Sequence, residues 1–141
     1  MVPADIRSGH VLRYSYLWHW QFLDGREEGD KDRPCLVLAL VVTESDGARF
    51  VRVLPITHMP PANPGDAVEI PQAVKKRLKL DEERSWIVLT ESNRFAWPGP
   101  DLRPLGTVTG YYGPLPQALF EEVKRRFVAL ARDHKQTGRT E

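Results

Sequence analysis

Cysteine is nearly absent from this chain: Cys35 is the single one among 141 residues. One thiol excludes an internal disulfide and fits a reducing compartment such as the cytoplasm. No apolar run approaches the ~20 residues that span a bilayer as a helix. The opening Met-Val-Pro-Ala-Asp-Ile-Arg also lacks the basic-then-apolar pattern of a secretion signal. A cytoplasmic protein without membrane attachment is expected. An excess of one charge is missing too, since 20 Lys and Arg face 19 Asp and Glu, for a formal net charge of +1. With no global basic field, any nucleic-acid binding would rest on a local patch. No phosphate loop or dinucleotide fingerprint occurs, because the glycines are scattered and do not open a helix. The histidines (His10, His19, His58, His134) do not pair with one another or with Cys35 at zinc-ligand spacing. Neither a metal nor a cofactor is expected.

What is present suits one domain over residues 1–141, with an ordered core over about 9–133 and a loose polar tail. The stretch that organises it runs from Gly25 to Val42. Its first half, Gly-Arg-Glu-Glu-Gly-Asp-Lys-Asp, is highly charged and broken by two glycines. Its second half, Cys35–Val42, is a continuous apolar run and reads as a strand buried on both faces. Between them stands Arg33-Pro34. Pro34 suits the first residue of a strand and biases Arg33 toward an extended backbone. A guanidinium is thereby held at the mouth of a buried strand, where an anion could meet it. Pairing of Arg33 with Glu27, Glu28, Asp30 or Asp32 at the surface is the alternative reading of the same residues.

Other elements follow from pattern. Residues from Gly9 to Trp18 alternate and favour a first strand, and 19–32 read as a long loop. Glu44-Ser45-Asp46-Gly47 is a turn signal that joins the central strand to a second arm, Arg49–Ile56, as a hairpin. Ala67–Ile70 and Ser85–Thr90 are short strands, with a small helix from Pro71 to Leu78 or Lys79 between them. The cluster Lys75, Lys76, Arg77 and Lys79 reads as a solvated face. Residues 97–104 read as a proline-fixed turn carrying Trp97, Asp101 and Arg103, and Thr107–Gly113 as a last strand. From Pro116 the period changes: Leu119, Val123 and Phe127 fall on one face of an amphipathic helix over 115–132. Residues from about 134 read as frayed.

Gly-x-Glu-x, a short loop, Arg-Pro and an apolar strand together resemble the PemK/MazF toxins of bacterial toxin–antitoxin pairs. Thr57, which follows apolar Ile56 at the end of the second arm, fits the same pattern. The resemblance covers the first strand through Thr57 and implies a mainly β fold: a small SH3-like barrel with a short helix and a C-terminal amphipathic helix. It further implies a homodimer, a cognate antitoxin, and metal-independent cleavage of single-stranded RNA to a 2′,3′-cyclic phosphate. The catalytic residues it implies are Arg33, Thr57 and a loop glutamate. The loop Gly25-Arg26-Glu27-Glu28-Gly29 is one residue longer than the usual Gly-Ser-Glu-Gln-Gly approach to Arg-Pro. Counting back from Arg33 selects Glu28, whereas matching Glu-x-Gly selects Glu27, and the choice stays open. His58, Trp20 and Lys31 are candidates to bind substrate. A rival reading is a non-catalytic relative that binds RNA or a protein such as a topoisomerase.

Overall fold

The apolar run from Cys35 becomes the middle of the fold because both faces of its strand are covered. The computed structural model describes residues 7–25, 32–42, 49–97, 108–130 and 135–138. Strand β2 (Arg33–Val42) lies between β1 (His10–Tyr14) and β3 (Arg49–Thr57), antiparallel to both. Successive side chains of a strand point to opposite faces. Leu36 and Leu38 accordingly enter one apolar cluster with Val11, Leu54, Ile87 and Val123. Cys35 and Val37 enter a second with Leu12, Tyr14, Val53 and Phe95, where Tyr14 stacks on Phe95 at 4.7 Å between ring centroids.

The remaining strands are β4 (Ala67–Glu69), β5 (Trp86–Val88), β6 (Glu91–Trp97), β7 (Val108–Pro114) and β8 (Lys135–Gly138). The sheet runs β4-β5-β3-β2-β1-β7, with β6 also paired to β3 and β8 to β6. One edge of β3 keeps β2 as its partner, but the other edge changes partner. Arg49–Val53 pairs with β6, and Ile56–Thr57 with β5. Pro55, which has no N–H to donate, falls in the gap between those two pairings. The sheet therefore divides at β3, and among the described residues its pairings leave β4, β7 and β8 as end strands. A mainly β fold with few helices is what the sequence led us to expect. The expected closure into a barrel is not seen among these pairings.

Helix α1 (His19–Leu23) replaces the first part of the expected long loop, α2 (Gln72–Arg77) follows β4, and α3 (Gln117–Ala129) is the amphipathic helix. Phe120 and Val123 of α3 are buried, while Leu119 and Phe127 are partly buried against the same cluster. Gly9 has φ +90°, and a Cβ there would meet the Phe120 ring at 3.4 Å, so glycine suits both the backbone and the helix contact. Residues 91–97, whose first six the sequence leaves unassigned, form β6 through pairing with β3 and β8. Two expectations need correction. Residues 135–138 pair in parallel with β6 instead of fraying. Lys75 is 1% exposed and is no part of a solvated face. The expected turns at 44–47 and 98–104 lie outside the described residues, as do residues 1–6.

Candidate active site

Hairpin register brings the two ends that carry Arg33 and Thr57 side by side. Cys35 faces Pro55 across β2 and β3. Continuing that antiparallel pairing by two residues sets Arg33 opposite Thr57. Both line one cavity of about 520 Å³, whose wall includes Tyr16, Trp18, Trp20 and Met59. The Arg33 guanidinium lies over the Trp18 ring, 4.8 Å from its centroid. Such a cation–π contact holds the fork by one face and leaves its N–H edge to other partners. Arg33 Nε is buried and has no hydrogen-bond partner among the described residues. Thr57 Oγ1 accepts from the Met59 N–H at 3.2 Å, so its own proton remains available to a further acceptor.

Strand β6 positions the aromatic wall. The Asn93 side chain, fully buried, accepts from the Leu17 N–H and donates to the Leu17 carbonyl, both at 2.8 Å. Two residues earlier on the strand, Glu91 Oε1 accepts from the Tyr16 hydroxyl at 3.0 Å and from the His19 N–H at 2.9 Å. Gln21 Oε1 in turn accepts from the Trp18 N–H at 3.0 Å at the start of α1. The extended segment after β1 is thus held at Tyr16, Leu17 and Trp18, and Tyr16 meets Trp18 edge-on at 5.1 Å. Burial raises the Glu91 carboxyl pKa above the usual carboxylate value. The His19 and Tyr16 bonds and the Arg33 charge oppose that rise without cancelling it. Burial, then the neighbouring Glu91 charge, pushes the Tyr16 phenol well above its ordinary value.

Among solved structures, the chain is similar to the Mycobacterium tuberculosis toxin MazF-mt6. Identity is 20% and the TM-score 0.52, with 87% of this chain and 96% of that chain covered. The fold is that of a MazF-like toxin. No family model matches the sequence, and no curated protein does.

Within this MazF-like fold the residues singled out from sequence separate into three groups. Arg33, Thr57 and Trp20 share the cavity, with Trp20 57% exposed on α1. His58 stands beside it, in a smaller hollow of about 220 Å³ that Arg33 also lines. Its Nε2 lies 2.7 Å from Asp81 and its Nδ1 2.9 Å from Glu83. Both nitrogens can donate at once only in the imidazolium form. Asp81 also takes the ammonium of buried Lys75, which further meets the Glu83 carbonyl and, at 2.7 Å, the Ser85 hydroxyl. Burial raises the Asp81 pKa, but the bonds from Lys75 and His58 outweigh it and hold the carboxyl below its ordinary value. Glu27, Glu28 and Lys31 lie outside the described residues. Glu91 was missed from sequence. Its one signal there was a carboxylate directly after the apolar strand that ends at Thr90.

Proposed function

We propose that the protein is a toxin-type endoribonuclease that cleaves single-stranded RNA without a metal, leaving a 2′,3′-cyclic phosphate. The observation that carries this reading is the convergence of Arg33 and Thr57 on one aromatic-walled cavity, with the half-buried Glu91 carboxylate bonded to Tyr16 of its wall. The substrate supplies its own nucleophile in this reaction, the 2′-hydroxyl next to the scissile phosphate. What remains for the protein is a base, charge on the pentacoordinate phosphorus, and an acid for the departing 5′-oxygen. Glu91, whose pKa is raised, is better matched to abstracting the 2′-proton near neutral pH than an ordinary glutamate. Arg33 neutralises the phosphorane and delivers a proton toward the leaving oxygen. Thr57 donates its hydroxyl proton to a non-bridging oxygen. Trp20, exposed on α1, offers a ring face on which a flanking base can stack.

A homodimer and a cognate antitoxin belong to the same reading. The deciding experiment incubates purified protein with a long unstructured RNA, with and without chelator, and identifies the product ends. Cleavage that is indifferent to chelator and leaves cyclic phosphate supports the proposal. Failure to cut any RNA replaces it with a binding protein of the same fold.

A further inference from the structure

The cavity beside Arg33 holds more than the groups that phosphate chemistry needs. Its lining also includes Asp66, Ala67 and the prolines Pro60 and Pro61. Asp66 closes a short 3-10 turn, Pro64–Asp66, whose start is fixed by Asn63 Oδ1 accepting from the Gly65 N–H at 3.0 Å. The Asp66 main chain is fully engaged, its N–H donating to Asn63 and its carbonyl accepting from Leu89, both at 2.9 Å. Its side chain is half-buried and has no hydrogen bond or ion pair among the described residues. The aromatic cavity therefore has a cation at Arg33 and an uncommitted carboxylate at Asp66. Its volume suits one nucleotide-sized ligand.

We propose that this cavity is a base-reading subsite that selects guanine next to the scissile phosphate, with Asp66 as the residue that determines specificity. A carboxylate only accepts hydrogen bonds. On its Watson–Crick edge, guanine presents two adjacent donors, N1–H and the N2 amino group, which match two carboxylate oxygens. Adenine and cytosine each offer one amino donor beside a ring-nitrogen acceptor, and uracil offers one N–H between two acceptors. Each of these would set a lone pair against Asp66. Unstacked bases of single-stranded RNA are read in this way, by aromatic stacking combined with hydrogen bonds to the exposed edge. Trp20, exposed on α1, supplies the stacking face, while Arg33 and Thr57 keep the attached phosphate. This inference rests on the ribonuclease reading for the phosphate's position, but the base selection can be measured without cleavage.

The test titrates the four nucleoside 3′-monophosphates into wild type and Asp66→Asn, following tryptophan fluorescence. The asparagine keeps both main-chain bonds of the turn, and unchanged thermal unfolding confirms an intact fold. Wild type is expected to bind the guanosine nucleotide about tenfold or more tightly than the other three, the worth of one bidentate base contact. Asp66→Asn is expected to abolish that preference. Equal binding of all four nucleotides by wild type, or an undiminished guanine preference in the variant, overturns the proposal. A cleavage map of long RNA separates the two readings. Cuts with no guanine bias sink the subsite and leave the nuclease standing. Selective guanosine binding without any cleavage keeps the subsite and removes the nuclease.

Discussion

Asn93→Ala is expected to be among the most damaging single substitutions on the sheet, although Asn93 touches no proposed substrate. Its amide is fully buried and holds the Leu17 N–H and carbonyl together, each at 2.8 Å. Leu17 is itself 2% exposed, so both main-chain groups would lose their partner out of reach of bulk solvent. Each orphaned buried group costs about 1–3 kcal/mol. A water that enters the vacated space would return part of that, because the site is polar. A net loss of roughly 3 kcal/mol is therefore expected, or on the order of 10 °C in Tm for a chain of this size. The assay is thermal and urea unfolding, together with hydrogen exchange at the Leu17 amide. A loss below about 1 kcal/mol would refute the claim that this amide holds the aromatic wall in place.

Asn93→Asp sharpens the test. One carboxylate oxygen still accepts from the Leu17 N–H, but the other faces a carbonyl and cannot donate. Burial would raise that carboxyl's folded pKa above its unfolded value. The variant's stability is thus fully present below the ordinary aspartate range and lost as pH rises through the raised value. Below that value the protonated acid can donate to Leu17, so acid should partly rescue Asn93→Asp and leave Asn93→Ala unimproved. Parallel pH profiles for the two variants would count against the reasoning.

Three further outcomes are expected. Arg33→Ala and Thr57→Ala should each lower RNA cleavage by roughly 10²–10³ without unfolding the protein. Arg33→Lys should fail as well, since a point charge cannot replace the planar fork, and a gel-based cleavage assay checks all three. Glu91→Gln should stop cleavage, and wild-type activity should rise with pH through a value above the ordinary glutamate range. The same raised pKa means that Glu91 contributes stability present below the ordinary range and lost as pH rises through the folded value, a slope that Glu91→Gln should lack in pH-dependent unfolding. Asp81→Asn should cost about 1–3 kcal/mol, less than the loss of a fully buried ion pair because Asp81 is half exposed. Asp81's depressed pKa has the opposite sign: its stabilisation is present above the ordinary aspartate range and lost as pH falls, so wild type but not Asp81→Asn should weaken in acid.

The parts of the fold legible in the sequence are those whose stability comes from apolar side chains at a regular period. Cys35 to Leu38 announce a strand buried on both faces, and Phe120 and Val123 lie on the stripe that begins after Pro116. Strand β6 was not legible. Its buried positions include Ser92 and Asn93, which satisfy no hydrophobic pattern, and Asn93 is held by hydrogen bonds to distant Leu17. Strand β8 is polar throughout and exists because its backbone pairs with β6, a contact that side-chain periodicity does not encode. Helix α1 has only five residues, too few for a period, and its His, Trp and Phe are middling helix formers. Lys75 looked like one more cation in a basic run. Only the return of Asp81, Glu83 and Ser85 over α2 shows that its ammonium is buried and matched.

For the site, legibility divides by how each residue is delivered. Arg33 and Thr57 sit at the two ends of one hairpin, and a hairpin's register follows from local sequence alone. Their approach could be foreseen, and they do line one cavity. Glu91 arrives from a strand far along the chain and Asp66 from the loop after the hairpin, where neither the spacing nor the composition marks them. Glu91 becomes notable through partial burial and its bonds to Tyr16 and His19, and Asp66 through the hydrogen bonds its side chain does not make among the described residues. Both properties belong to packing. In the proposed reaction, the hairpin would therefore set where a phosphate is held, while residues brought by the rest of the sheet would set which proton moves and which base is read.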